Sequence, residues 1–346
     1  MLMFLTSRAW TLIVKSPVFS YNFIVKKHKF AAIDIGTNTF RLLIAEVVPD
    51  PILKACSIKE IHSERAVTRL GEGIHVNGFL TEEAMKRSIA VLSKYCTTIA
   101  SHDVDKTSAV ATSALREAKN SASFLDEVKK ITELPIYIIS GEEEAKLTAS
   151  GMLLDMEVPD TALMVDIGGG STELIYAREG KPDFVYSENT GVVSLAGKYM
   201  SHDPPLKEDL VRMESEITLR IECIKHPFMQ LLTETTRFIG TAGTITALAA
   251  ISQSLSEYDH TKIHNYRLQL DRVKDIFSAL SRSSSRQRAR YLPFELSRLD
   301  IIVPGTLILS KLMETFGFQE LTVSNYGLRE GILFNLYNES REEHET

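Results

Sequence analysis

The chain has 346 residues, room for two domains at roughly 150 residues each, and a composition that is 44% hydrophobic and 24% charged, as expected of a globular protein with a buried core. A formal net charge of −6 argues against a general nucleic-acid surface, so a polyanionic ligand needs a local basic site. Cys56, Cys96 and Cys223 are scattered with no CxxC pair, which excludes a disulfide framework or a cysteine metal site and fits reduced thiols in the cytoplasm.

Residues 1–28 read as a basic leader outside the fold. The first 30 residues contain no Asp or Glu but carry Arg8, Lys15, Lys26, Lys27 and Lys29. Lys15 breaks the apolar run, so no stretch is long enough to span a membrane, and there is no secretory cleavage pattern. The segment fits translated upstream sequence with the start at Val25, or an organellar transit peptide.

From Lys29 the elements alternate. "KFAAIDIGTNTFRLLIAEVV" (29–48) predicts strand, turn, strand. "TEEAMKRSIAVLSKYCTTIA" (81–100) predicts an amphipathic helix capped by Thr81, with Met85, Ile89, Leu92, Cys96 and Ile99 on one stripe. A strand at 107–112, a helical stretch from Ser113, a strand at 134–140 and a helix at 141–154 follow. The scheme then repeats. Residues 162–177 predict strand, turn, strand. A helical region covers 207–231, and 237–251 reads strand, glycine turn, helix. Helices near 269–281 and 305–315 precede a last strand and helix at 321–337. Such alternation means an α/β protein.

One internal repeat organises this order. Placing Asp34 over Asp166, 132 residues later, sets "DIGTNTFRLLI" over "DIGGGSTELIY". Asp, Ile and Gly coincide, Thr39 meets Ser171, and the apolar pattern continues after the turn. A strand–turn–strand unit recurring at domain-sized spacing predicts two domains of similar fold facing across a cleft.

The chemistry of the two turns points to phosphate. Gly36, Gly168, Gly169 and Gly170 allow consecutive backbone N–H groups to line an anion-binding concavity. Thr37, Asn38, Thr39, Ser171 and Thr172 add side-chain donors. Asp34 and Asp166, at the strand ends, suit a hydrated Mg²⁺ shared with phosphate oxygens. A third turn, "GTAGT" (240–244) with Gly240 and Gly243, opens a helix and fits either phosphate binding or packing. In "SGEEEAK" (140–146), Ser140 and Glu143 have capping-box spacing, and Glu142 pairs with Lys146 four residues on. Glu144 has no such local duty. It fits either a solvated first turn or a carboxylate that orients water for attack on phosphorus. Arg116 follows a strand–turn and can clamp phosphate bidentately. Arg282, Arg286, Arg288 and Arg290, with Arg298 nearby, read as a solvated polar loop, and His264 as structural.

These residues resemble the exopolyphosphatase / guanosine pentaphosphate phosphatase family of the actin-like superfamily. The resemblance runs from about Lys26 to Tyr337 and rests on seven motifs in order, "AAIDIGTNTFRLLIAEV", "RLGEGIHVNGFL", "AVATSALREAKN", "IISGEEEAKL", "VDIGGGSTELI", "IGTAGTITALAA" and "VSNYGLREGIL". It implies two actin-like, ribonuclease H-like domains with mixed β-sheets flanked by helices: domain I at 29–153 plus 322–340, and domain II at 154–321. It also implies Mg²⁺-dependent release of terminal phosphate from inorganic polyphosphate or guanosine pentaphosphate, and a homodimer. By the same resemblance Glu144 is the catalytic base, Arg116 its companion, and Glu173 joins Asp34 and Asp166 as a metal ligand. Three departures stand out. Asn325 takes the place of an acid before "GLREG", "GVVSLAGKYM" lacks an arginine, and the chain ends near Tyr337 without further helical domains, which weighs against long-chain processivity. Two other readings fit the motifs: a non-hydrolysing sensor of guanosine tetra- or pentaphosphate, and a superfamily kinase or ATPase.

Overall fold

The computed structural model describes residues 28–50, 55–154, 156 and 159–345; the leader reading lies outside them. In chain order the first unit runs β1 (His28–Ile35), β2 (Thr39–Asp50), β3 (Ala55–Val67), α1 (Ile74–Asn77), α2 (Glu82–Ala100), β4 (Lys106–Ala111), α3 (Ser113–Glu117), α4 (Ser121–Thr132), β5 (Ile136–Ile138) and α5 (Gly141–Met152). The second runs β6 (Thr161–Ile167), β7 (Thr172–Arg178), β8 (Lys181–Glu188), α6 (Val192–Tyr199), α7 (Lys207–Met229), β9 (Arg237–Thr241), α8 (Ala242–Ser252), α9 (His260–Ile263), β10 (Arg267–Gln269), α10 (Leu270–Ser281), α11 (Ser285–Arg288), a 3₁₀ turn at Leu296–Arg298, α12 (Ile302–Phe316), β11 (Glu320–Val323) and α13 (Leu328–Glu345).

The duplication is visible in topology. The first sheet has the order β3-β2-β1-β4-β5, and the second has β10-β11-β9-β6-β7-β8. Read outward from β1 and from β6, both are an antiparallel meander on one side and parallel strands on the other. Only β10 is extra. The turns match too: Gly36 N–H donates to the Thr39 carbonyl at 3.3 Å, and Gly168 N–H to the Ser171 carbonyl at 2.9 Å. The expected two α/β units with mixed sheets and flanking helices are therefore present.

The units exchange helices. α5 follows the first sheet in sequence but lays Ala145, Ala149 and Met152 on Met164, Ile175 and Ile239 of the second. α13 follows the second sheet but lays Leu328, Ile332, Leu333 and Leu336 on Phe30, Ala32 and Leu43 of the first. The expected boundaries shift accordingly. α5, assigned by sequence to 29–153, packs with the second unit. β11 pairs with β9, so the return to the first unit comes after Val323 rather than at 322. Small residues on α5 permit this, because they let the helix lie close to both a sheet and α13. Each unit has its own apolar core of buried residues on the outer face of its sheet.

Two local expectations hold in detail. Thr81 caps α2 by accepting from Ala84 N–H at 3.2 Å. Ser140 and Glu143 form the reciprocal capping box of α5, at 2.8 and 3.1 Å, while Lys146 pairs with Glu142 at 2.6 Å. The expected strand at 134–140 is shorter, Ile136–Ile138, since it is an edge strand with Tyr137 and Ile138 exposed. Among the described residues no helix is long and apolar enough to cross a membrane.

Candidate active site

The two glycine turns face each other across a cleft of about 390 Å³. They approach to contact. A Cβ placed on Gly170 would lie 2.2 Å from Ser113 Oγ and 2.8 Å from Thr37 Oγ1, and one on Gly169 would lie 3.2 Å from Thr37 Cβ. The bareness of these glycines thus serves the approach of the opposite unit. Behind the first turn, the loop after β3 acts as a brace: Gly71 N–H donates to Thr37 carbonyl at 2.9 Å, and Thr68 and Arg69 N–H to Asn38 carbonyl.

Asp34, Gly36, Thr37, Asn38, Thr39, Glu144, Asp166, Gly168, Gly169, Gly170, Ser171 and Gly243 line this cleft. Four other expected site residues do not. Thr172 donates its hydroxyl to the Thr190 carbonyl at 2.7 Å, so it is committed to the fold. Gly240 is a packing glycine, since a Cβ there would meet Ile245 and Leu321 at 2.6–2.7 Å. Glu173 is 1% exposed and lies behind Asp166, its cross-strand partner, accepting from Ser187 Oγ at 2.9 Å. Arg116 stands behind Glu144. At the third turn, the guanidinium of Arg298 lies against Gly243, where a Cβ would come within 2.0 Å of its Cζ.

Glu144 sits in the first turn of α5, 9% exposed. Its Oε2 accepts from Arg116 Nη1 at 3.2 Å, and the same Nη1 donates to the Ile139 carbonyl at 2.8 Å. Arg116 Nη2 is buried with no hydrogen-bond partner. Burial, then the charges of Glu173 and Asp166, push the Glu144 carboxyl well above the usual carboxylate range, against the pull of Arg116. Burial likewise raises Asp166 to about 6, opposed by Arg41. It raises Glu173 to about 7, with Asp166 adding to the rise. Asp34 is raised by burial and eased by Arg41 and Arg329. Acids this crowded favour either protons or a cation among them.

That donor set suits Mg²⁺, which takes few protein carboxylates and keeps phosphate and water oxygens. Among the described residues no three such side chains converge into a closed cage. Of the three expected metal ligands, Asp34 and Asp166 line the cleft and Glu173 does not.

Several cleft residues are not expected from the motifs. Arg41 is the cross-strand partner of Asp34, with 3.8 Å between their charged atoms. It occupies the repeat position of Glu173, a signal present in the alignment of the two turns. Arg65, Glu295, Tyr258 and Arg329 also line the cleft and carry no local signature. Arg288 and Arg298 are buried, contrary to the solvated-loop reading. Asn325 accepts from Tyr258 OH at 2.8 Å and bonds the His260 ring. His264 has the structural role expected, accepting from Asn325 N–H at 3.2 Å.

Residues 51–340 match the model of the Ppx/GppA phosphatase family. Exopolyphosphatase 2 of Mycobacterium tuberculosis is 31% identical over 320 residues, covering 89% of this chain and 98% of its own. A solved Ppx/GppA family member from Aquifex aeolicus is 30% identical with a TM-score of 0.76, covering 91% of this chain and 99% of its own. A solved exopolyphosphatase from Cytophaga hutchinsonii is 27% identical with a TM-score of 0.79, covering 90% and 98%.

Proposed function

The chain belongs to the Ppx/GppA phosphatase family, and from that premise we propose that it releases terminal phosphate from inorganic polyphosphate, and from guanosine pentaphosphate, by in-line attack of water. The observation that carries this reading is Glu144: a carboxylate on the cleft wall, facing two phosphate-suited turns and backed by an arginine with one unpartnered buried N–H.

Glu144 holds the attacking water and takes its proton; its raised affinity for protons suits it to that task. Arg116 fixes the Glu144 carboxylate from behind, and its charge favours the ionised form of that base. The N–H groups between Gly36 and Thr39 and between Gly168 and Ser171, beyond the Gly36 and Gly168 N–H groups that close the turns, hold the chain of phosphates. Asp34 and Asp166, with Glu173 behind, would hold Mg²⁺, which when bound neutralises charge on the phosphate oxygens.

The test is phosphate release with and without Mg²⁺ from long-chain polyphosphate, tripolyphosphate, guanosine pentaphosphate and ATP. Release from the first three that collapses by 10²-fold or more in Glu144→Gln, with binding retained, is the expected outcome. Binding without release would make the protein a sensor. Transfer to a sugar or carboxylate acceptor would make it a kinase.

A further inference from the structure

Glu295 is a cleft carboxylate that the proposed reaction does not use. Glu295 has a side chain 4% exposed and sits between cations from both units. Arg65, near the end of β3, reaches its Oε1 at 2.5 Å and also donates to Ser297 Oγ at 3.2 Å. Arg298 donates to the same Oε1 through Nε while its guanidinium covers Gly243. All three side chains line the cleft. Farther out, Arg69 and Asp300 join the units again at 3.1 Å.

We propose that Glu295 is a built-in stand-in for a phosphate group. In the ligand-free protein it occupies a subsite for an inner phosphate of the polyphosphate chain, and the incoming phosphate displaces it from Arg65 and Arg298. This rests on the polyphosphate reading above. Carboxylate and phosphate present the same kind of acceptor oxygens to a guanidinium fork. Two guanidiniums brought together from opposite units repel each other, and a buried one with no anion is costly. A resident carboxylate removes that cost before substrate arrives. It then competes with substrate, because a fixed negative charge repels a polyanion at close range.

The experiment is calorimetric titration of tripolyphosphate into the full chain at two salt concentrations, in a Glu144→Gln background so that nothing turns over. Glu295→Gln keeps the shape and an acceptor oxygen but removes the charge. It is expected to bind roughly three- to tenfold tighter, with a steeper loss of affinity at high salt. Unchanged or weaker binding by a variant with the parent melting temperature would overturn the proposal. Arg65→Gln leaves Glu295 paired with Arg298 and is expected to bind more weakly; unchanged binding there would also overturn it. Hydrolysis is judged separately by phosphate release from the parent chain. A protein that binds tripolyphosphate but never releases phosphate would defeat the hydrolytic reading and leave this result standing.

Discussion

Gly151→Ala tests whether the base depends on how two helices cross. α5 and α13 meet backbone to backbone. A Cβ on Gly151 would lie 1.9 Å from the Gly327 carbonyl oxygen, and one on Gly331 would lie 1.8 Å from that of Leu147. Ordinary contact needs about 3.4 Å, so the crossing must open by about 1.5 Å, and overpacking of this kind costs roughly 1–3 kcal/mol. Alanine's better helix propensity returns at most about 1 kcal/mol. For domains of this size the balance predicts a melting temperature lower by up to roughly 8 °C. The catalytic effect should be larger. Gly151 lies two turns along α5 from Glu144, and Gly327 is on the cleft wall. Displacing a base by about 1 Å costs up to about 10²-fold in rate. Calorimetry and steady-state phosphate release would therefore show a modest loss of stability and a kcat loss that exceeds any change in KM. A variant with the parent's melting temperature and kcat would refute the argument, because it would mean that the crossing opens freely without moving the base.

Arg116→Lys should lower kcat by about 10²-fold, since an ammonium does not tie the Glu144 carboxylate to the Ile139 carbonyl as the guanidinium does; KM for polyphosphate should change little, and an equal rise in KM would contradict this positioning role. The activity of the parent should rise with pH through a range above that of ordinary carboxylates, because Glu144 must be charged to act and its surroundings oppose that charge; a profile flat down to about pH 4.5 would contradict this. Stability should run the other way. Asp166 and Glu173 are raised to about 6 and about 7, so the stability they confer is complete below their unfolded values and is lost as pH rises through those numbers. Melting temperature in chelator should fall between about pH 4.5 and 7, Mg²⁺ should restore it, and Glu173→Gln should flatten the slope; a parent-like slope in that variant would assign the loss elsewhere.

What the sequence made legible was local or periodic. The capping box at Ser140 and Glu143, the N-cap at Thr81 and the duplicated turns all depend on residues within a few positions of one another, and the structure keeps each of them. Glu144 stood out because its neighbours had partners and it had none. The strands β3 and β8 were not legible. β3 alternates with Ser, Lys, Glu and His on one face, and both strands lie at or near a sheet edge, where apolar patterning fades. Helix exchange was equally hidden, since nothing in the run of α5 says which sheet its small residues will meet. Arg65, Glu295 and Arg298 are separated by more than 200 residues between the first and the others, and their convergence is a product of the closed cleft. Thr172 and Gly240 could not be assigned from sequence for a related reason. A hydroxyl or a glycine beside a turn looks available until its tertiary partner, the Thr190 carbonyl or Leu321, is known.

The duplication also shows where the two units stopped being equivalent. Arg41 and Glu173 hold the same place in the two repeats, each directly across from the aspartate of its turn. In the first unit the pair is Asp34 with Arg41, and its charges cancel. In the second it is Asp166 with Glu173, and they add. Like charges directly opposite one another destabilise a strand pair, and Glu173 is buried while Asp166 is partly so. The fold would be more stable with an amide at 173, so the acid is retained at a cost to the sheet. A cation bound by Asp166 would offset that cost, and the balanced pair opposite would leave the first turn fit for an anion. On the proposed reading the cleft is therefore polarised, with metal toward the second unit and phosphate chain toward the first. α5 carries Glu144 into that boundary while resting on the second sheet, which keeps the base in register with the acids that raise its proton affinity.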